Sequence, residues 1–186
     1  TITDFADGTD VLGMDGGMQY SDLTIADNAG NTIISKGSEY LAILTGISAS
    51  NINYMDFVST STANQNLTGT NGDDILLGAG GADTVTTRNG TDVVATFSGN
   101  DSIQVNGTGN KTINGGSGTD SLTITDGSGN TLTNYTIEWD GNTHTVSFID
   151  GSNRIDFTSI ENLNVNGDVF VVFEDGIAYK PDGSTL

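Results

Sequence analysis

Apolar residues recur at a constant place along residues 69–123, and this pattern is the strongest signal in the chain. Five of the nine-residue units carry an apolar residue at this place. The repeated apolar positions are Leu76, Val85, Val94, Ile103 and Leu122. A regular period of this kind predicts a solenoid, in which each unit adds one short segment to a continuous core.

An aspartate and a glycine keep a constant distance from each apolar position. The aspartates, two residues before it, are Asp74, Asp83, Asp92, Asp101 and, after one inserted residue, Asp120. The glycines, four residues before it, are Gly72, Gly81, Gly90, Gly99 and Gly118. Asn110 takes the aspartate place in the intervening unit, nine residues after Asp101.

Each unit divides into a turn and a short strand. Glycine permits the tight turn, and the Asp-x-apolar segment predicts a strand with one side chain pointing inward. Two units would form one coil, so turns on the same side would be two units apart in sequence. The resulting neighbours would be Asp74 with Asp92, Asp83 with Asp101, Asp92 with Asn110, and Asp101 with Asp120.

Stacked carboxylates repel one another unless a cation lies between them. Calcium accepts several carboxylate and carbonyl oxygens at about 2.3–2.6 Å, and glycine turns leave backbone carbonyls free to supply part of that set. The pattern therefore predicts several bound calcium ions, held by the repeated aspartates and by the carbonyls of the repeated glycines.

Two units carry a family resemblance most clearly. The unit 115–123 is Gly-Gly-Ser-Gly-Thr-Asp-Ser-Leu-Thr, and the unit 78–86 departs from the same pattern only at Ala79. They resemble the repeat-in-toxin (RTX, haemolysin-type) calcium-binding nonapeptide. The resemblance implies a parallel β-roll with calcium in its turns, and a secreted bacterial protein located outside the cell or at its surface. Units 87–95 and 96–104 lack the leading glycines, and the site at Asn110 is expected to be weak or empty.

The pattern outside the repeats predicts an all-β chain with four parts. Residues 1–58 form an N-terminal accessory β unit, residues 59–66 a short polar linker, residues 67–124 the β-roll, and residues 125–186 an antiparallel β cap. A cap is needed because the last coil of a solenoid exposes an open sheet edge.

Short apolar segments predict strands in the N-terminal unit, at residues 1–5, 10–14, 23–25, 32–35 and 39–44, with a turn at residues 28–31 and a short helix or turn within residues 48–57. Asp4, Asp7 and Asp10 surround one turn. They could hold a further calcium ion, or form an ordinary polar turn with solvated carboxylates, and the sequence leaves both alternatives open.

The C-terminal part predicts a hairpin around Asp140-Gly141-Asn142, because Asp-Gly between alternating segments is a strong hairpin signal. Further strands are predicted at residues 154–157, 169–173 and 177–179. Turns are predicted at residues 126–130, 151–153 and 174–176.

Charge and composition exclude several kinds of partner. The chain has 24 acidic and 5 basic residues, for a formal net charge of −19. Nucleic acid is an unsuitable partner because its binding requires basic surfaces. No apolar stretch approaches the roughly 18–20 residues of a membrane span, so membrane insertion is not expected. The chain has no cysteine, so bound metal, rather than disulfides, would supply any cross-linking.

Candidate catalytic chemistry is sparse, and we expect no enzymatic activity. His144 is the single histidine, too few for a zinc site, and a solvent-facing strand position is expected for it. Trp139 with Tyr135 and Phe148 could form a small carbohydrate patch, but packing within the cap is the favoured interpretation. Threonines fall at scattered places in the repeat, which disfavours an ice-binding array.

The sequence thus predicts a calcium-dependent, non-enzymatic structural module of a bacterial extracellular protein, such as a surface-layer, adhesin or fibre subunit. A second copy of the chain is a candidate partner, through exposed strand edges. The alternative is a C-terminal export and folding domain of a secreted RTX hydrolase or toxin with an upstream catalytic part. Because the chain begins at Thr1 without methionine, we expect a fragment or a processed form.

Overall fold

The computed structural model describes residues 1–15, 18–125, 135–148, 153–173, 176 and 178–180. Apart from three single-turn 3-10 helices, Tyr20–Asp22, Ala49–Asn51 and Tyr54–Asp56, the regular structure of these residues is β, so the all-β expectation is confirmed. No helix in the described part of the chain has the length and apolar character needed to cross a membrane. The chain divides into two compact units, Thr1–Ser61 and Thr62–Leu186. The finer predicted boundaries, at residues 58 and 66, stay a prediction.

The first unit contains one antiparallel sheet and one parallel strand pair. Its strands are β1 (Leu12–Met14), β2 (Thr24–Asn28), β3 (Asn31–Lys36), β4 (Glu39–Thr45) and β5 (Phe57–Ser59). β2, β3 and β4 are antiparallel neighbours, and β1 pairs in parallel with β5. The predicted turn joins β2 to β3 through Ala29 and Gly30, both with positive φ, as a two-residue type I′ hairpin requires.

The strand predicted at residues 1–5 is reduced to a single bridge between Ile2 and Leu44. The chain turns immediately afterwards, where the N–H groups of Thr9 and Asp10 both donate to the carbonyl of Ala6. This turn removes the chain from the sheet before a longer ladder can form.

The second unit begins with seven short parallel strands that alternate between two sheets. They are β6 (Asn66–Thr68), β7 (Ile75–Ala79), β8 (Thr84–Thr87), β9 (Asp92–Phe97), β10 (Ser102–Asn106), β11 (Lys111–Asn114) and β12 (Ser121–Thr125). β6, β8, β10 and β12 are consecutive neighbours in one sheet, and β7, β9 and β11 in the other. Strands two units apart therefore lie side by side, as the repeat predicts: Val85 pairs with Ile103, and Leu76 with Val94.

Six further strands complete the two sheets. They are β13 (Tyr135–Trp139), β14 (His144–Phe148), β15 (Arg154–Thr158), β16 (Asn162–Val165), β17 (Asp168–Val172) and β18 (Ala178–Tyr179). The predicted hairpin is present, since β13 and β14 are antiparallel and Trp139 pairs with His144. The predicted turns at residues 126–130, 151–152 and 174–175 lie outside the described residues.

The prediction of a wholly antiparallel cap is wrong for β15 and β16. β15 runs parallel to β11, and β16 parallel to β12. Their apolar side chains explain the difference: Phe157 extends the row of Ile113, and Leu163 extends the row of Leu122, so each strand gains by continuing the existing register. Antiparallel pairing begins only beyond them, at β14 and β17.

Two inward-facing rows of apolar side chains form the core of the second unit. One row is Leu67, Val85, Ile103, Leu122 and Leu163. The other row is Leu76, Val94, Ile113 and Phe157. Both rows belong to one hydrophobic cluster, which the repeated apolar positions of the sequence predict.

The glycines at the turns allow backbones of successive coils to approach closely. A Cβ on Gly99 would collide with the carbonyl oxygen of Gly81, and a Cβ on Gly118 with that of Gly99. On the other side, the same relation joins Gly90 to Gly72 and Gly109 to Gly90. Carbonyl oxygens therefore stack along both sides of the unit at the turns.

This close approach gives a matched test with two glycines of nearly equal φ. Gly116 (φ 90°) lies against the carbonyl of Phe97, whereas Gly167 (φ 95°) has open space where a Cβ would stand. We expect Gly167→Ala to cost only the positive-φ strain, about 1 kcal/mol. Gly116→Ala adds a steric cost of about 1–3 kcal/mol. Urea midpoints of both variants in calcium would show this difference, and equal midpoints would contradict the crowding.

Candidate metal centre

A row of buried carboxylates follows one side of the second unit. Asp83, Asp101 and Asp120 are at most 2% exposed. In each, Oδ1 accepts a hydrogen bond from the backbone N–H of the coil before: Gln65 to Asp83 at 2.8 Å, Asp83 to Asp101 at 2.7 Å, and Asp101 to Asp120 at 2.9 Å. The predicted neighbours on this side are thus brought together by their own backbone.

Glu161 extends this row by one more carboxylate. Its Oε2 accepts the N–H of Asp120 at 2.7 Å, the contact that Asp101 and Asp120 make in the coils before. Four acidic side chains therefore follow one another along one side, and each accepts a backbone N–H from the coil before it.

The row on the other side is shorter and ends differently. Asp74 N–H donates to Asp92 Oδ1 at 3.1 Å, so this predicted pair is also brought together. In the next coil, Lys111 pairs with Asp92 in the parallel ladder. A lysine thus takes the position where the other side carries a third aspartate.

The prediction that Asn110 continues the aspartate series is therefore wrong by one residue. The inserted residue lies before β11, so the register places Lys111, not Asn110, beside Asp92. Asn110 Oδ1 instead accepts the N–H of Arg154 at 3.2 Å. Its side chain supports the following strand at the edge of the turn.

In two aspartates of the longer row, the second carboxylate oxygen meets the requirements of a cation ligand, whereas Asp83 Oδ2 already accepts the N–H of Ala79 at 2.6 Å. Oδ2 of Asp101 and Oδ2 of Asp120 are buried and have no hydrogen-bond partner. A buried charged oxygen without a partner is costly, and calcium prefers such oxygens together with carbonyls. A Cβ on Gly115 would lie 2.7 Å from Asp120 Oδ2, so glycine leaves open the space beside that oxygen.

Side chains alone do not complete a site. Among the described residues, no three acidic or histidine side chains form a group that could hold a metal ion. A calcium site here would therefore combine a pair of carboxylates with the stacked carbonyls of the glycine turns. This division of ligands fits the predicted roles of the repeated aspartates and glycines.

The pKa values of two buried aspartates show that their negative charge is destabilised when no cation is bound. Burial, and then the charges of Asp101 and Glu161, raise the pKa of Asp120 to about 6, although the hydrogen bond from the Asp101 N–H opposes the shift. Burial also raises the pKa of Asp92, with the ammonium of Lys111 opposing it. Both carboxylates therefore bind protons more readily than solvated aspartates do.

Asp4, Asp7 and Asp10 lie in the first unit, and all three are exposed. Asp10 Oδ2 accepts the N–H of Ala6 at 2.8 Å and closes the turn. This contact accounts for the aspartate at residue 10 as an ordinary turn residue, and a calcium ion at this turn stays a prediction.

His144 differs from its expected solvent-facing position, being 5% exposed. Its ring lies between Trp139, with centroids 4.4 Å apart, and Phe157, stacked at 5.2 Å. Burial lowers the pKa of the imidazole. Tyr135 contacts Phe148 and Phe170 rather than Trp139, so the described contacts of these rings favour packing over a shared carbohydrate patch.

Two residues of the rows, Lys111 and Glu161, were missed by sequence reasoning, although the sequence carries a signal for both. The repeat places a small residue two before and an apolar residue two after each aspartate. Lys111 has Gly109 and Ile113 at these places, and Glu161 has Ser159 and Leu163. Ser159 even adopts a positive φ of 53°.

Protonation should partly replace a cation in this row. Because the folded-state pKa of Asp120 is about 6 and the unfolded value is near 4, the metal-free fold gains stability as pH falls from above 6 towards 4. The gain should reach about 1 kcal/mol by pH 5. Far-UV circular dichroism of chelator-treated protein should show more β signal at pH 5 than at pH 7. Asp120→Asn should reduce this gain, and an unchanged gain would contradict the assignment.

Comparison with known proteins agrees with this geometry. Residues 60–94 and 68–103 match the family described as RTX calcium-binding nonapeptide repeat (4 copies). No curated protein matches the chain. The matched residues include the turns of Asp74, Asp83, Asp92 and Asp101, and the chain therefore contains RTX calcium-binding nonapeptide repeats.

Proposed function

We propose that the second unit is a calcium-binding β-roll that serves as a non-enzymatic structural module of an extracellular protein. The observation that carries the proposal is the pair of buried, unpartnered carboxylate oxygens, Asp101 Oδ2 and Asp120 Oδ2. They lie one coil apart in a chain with RTX repeats. Two facing carboxylates carry two negative charges, which one calcium ion would neutralise.

The chain's own residues supply the rest of the mechanism. Asp83, Asp101 and Asp120 hold successive coils together through their Oδ1 atoms. The Oδ2 atoms of Asp101 and Asp120 have no hydrogen-bond partner, whereas Asp83 Oδ2 accepts the N–H of Ala79 at 2.6 Å. Glycine turns bring carbonyl oxygens of successive coils together. Bound calcium supplies positive charge between the coils, and because the unfolded chain lacks this arrangement, its binding free energy becomes folding free energy.

The negative charge of the chain explains why folding would depend on the calcium concentration, and therefore on whether the chain is inside or outside the cell. The net charge of −19 opposes compaction when no cation is bound. Extracellular calcium modules commonly bind in the range of about 0.1–1 mM, so the roll would be unfolded at low intracellular calcium and folded outside the cell. A surface-layer, adhesin or fibre subunit would use this switch, and so would the export and folding domain of a secreted hydrolase or toxin.

Removal of one ligand charge from the row tests the proposal. Asp101→Asn keeps the oxygen that accepts the Asp83 N–H but removes the charge from a buried position. We expect the calcium midpoint for the gain of β signal, followed by circular dichroism of chelator-treated protein, to rise about tenfold, equivalent to roughly 1.4 kcal/mol.

Asp73→Asn provides the matched control. Asp73 is exposed on a neighbouring turn, and its Oδ1 accepts the N–H of Thr91, a contact that asparagine retains. Its midpoint should stay within about twofold of the unsubstituted protein, since a solvated charge interacts weakly. If both variants shift the calcium midpoint equally, the effect comes from the net charge of the chain and not from a ligand at residue 101. If the β signal is already complete in chelator, the proposal is overturned. Light scattering during the same titration tests self-association separately.

A further inference from the structure

The side chain of Lys111 is enclosed by oxygen atoms at a turn between two coils. Its Nζ donates to the carbonyl oxygens of Gly90 at 2.6 Å, Thr108 at 3.1 Å and Gly109 at 3.2 Å. Asp92 Oδ2 lies 3.2 Å away, and the Lys111 and Asp92 side chains are both 0% exposed. Three carbonyls and one carboxylate thus surround a single positive charge that is shielded from water.

The backbone around Lys111 repeats the backbone around Asp120. Gly109 meets the carbonyl of Gly90 as Gly118 meets that of Gly99. The N–H of Gly90 donates to Thr108 O at 3.0 Å, and in the same relation the N–H of Gly99 donates to Ser117 O at 2.9 Å.

The two turns therefore share one carbonyl framework and differ in the side chain at the sixth position of the repeat. At one turn the residue is Asp120, and the facing carboxylates are Asp101 and Asp120. At the other the residue is Lys111, and the facing pair is Asp92 and Lys111. The first pair carries two negative charges, whereas the second is neutral.

We propose that the ammonium of Lys111 is a built-in cation that takes the place of a calcium ion at this turn. The inference rests on the proposed function, because it assumes that the equivalent aspartate turns bind calcium. An ammonium donates three hydrogen bonds and carries one charge, which matches three carbonyls and the charge of Asp92. A divalent ion would meet only one carboxylate there and would have to displace a buried ammonium.

The carboxylate row on the side of Lys111 does not continue into the next coil. The next strand places Ile155 beside Lys111. The buried amide of Asn153 accepts the N–H of Gly109 at 2.7 Å. The other row continues to Glu161. The two sides of the roll therefore differ in their demand for calcium, with more ions on the side of Asp83, Asp101 and Asp120.

Lys111→Asp tests this inference, because it restores the carboxylate pair of the equivalent turn. Calcium-loaded protein is dialysed to equilibrium, and bound calcium per chain is measured by elemental analysis. We expect the variant to bind one more ion than the unsubstituted protein. If the unsubstituted protein binds no calcium, the proposed function itself fails. If it binds calcium and the variant binds no more, the role of Lys111 alone is overturned.

A second pair of variants keeps the test decisive if Lys111→Asp does not fold. Lys111→Met retains an unbranched stem but leaves Asp92 buried without its cation. Its melting temperature in saturating calcium should fall by roughly 10 °C. Adding Asp92→Asn should recover the part of the loss that comes from the unpaired charge, so the double variant should melt above Lys111→Met. A melting temperature unchanged by Lys111→Met, or not recovered in the double variant, would overturn the inference.

Chemical accessibility gives an independent readout on the unsubstituted protein. In calcium, Lys36, whose side chain is 48% exposed, should react readily with an acylating reagent. Lys111 should react at least about a hundredfold more slowly, because reaction would require the turn to open. Peptide mass spectrometry measures both rates in one sample. Similar rates would mean that the ammonium is not enclosed and would overturn the proposal.

Discussion

The second unit depends on one electrostatic constraint: carboxylates are buried one coil apart and therefore need positive charge between the coils. Asp101 and Asp120 each serve the backbone with one oxygen and leave the other for a cation. Both oxygens of Asp83 accept backbone N–H groups. Removing the carboxylates would leave the backbone N–H groups that donate to them without acceptors. The acids therefore stabilise the fold as well as form the site. The chain meets this constraint in two ways, with calcium in the aspartate turns under our proposal and with Lys111 in one turn.

The glycine turns follow from the same constraint. Carbonyls of successive coils must approach closely to contribute to an oxygen cage, and a Cβ at Gly99 or Gly118 would prevent this approach. The first position of the repeat excludes a Cβ at Gly115, which would collide with the carbonyl oxygen of Ser159, but not in every unit. Thr96 stands there fully buried, and its hydroxyl donates to the carbonyl of Gly115 at 2.7 Å. A missing leading glycine therefore does not interrupt the stack.

The sequence was sufficient for the repeat and its pairing, because the same distances between small, acidic and apolar residues recur in several units. It was insufficient where one residue is inserted after Asp101, since counting nine residues leads to Asn110 whereas the apolar row leads through Ile113 to Lys111. The parallel course of β15 was not predicted because local alternation resembles that of an antiparallel strand. Only the pairing of Phe157 with Ile113 distinguishes the two.

The hydrogen bonds of the longer carboxylate row all have the same direction, and this direction limits where coils can be added or removed. The N–H at each level is satisfied only by the acid of the following coil, so the final level needs a terminator, which Glu161 provides for Asp120. Whole coils inserted between Asp83 and Asp120 would carry their own acceptors. A truncation after Asp120 would remove Glu161 and leave the N–H of Asp120 without its acceptor. Inserting a whole coil therefore preserves the hydrogen bonds of the row, whereas removing its last member does not.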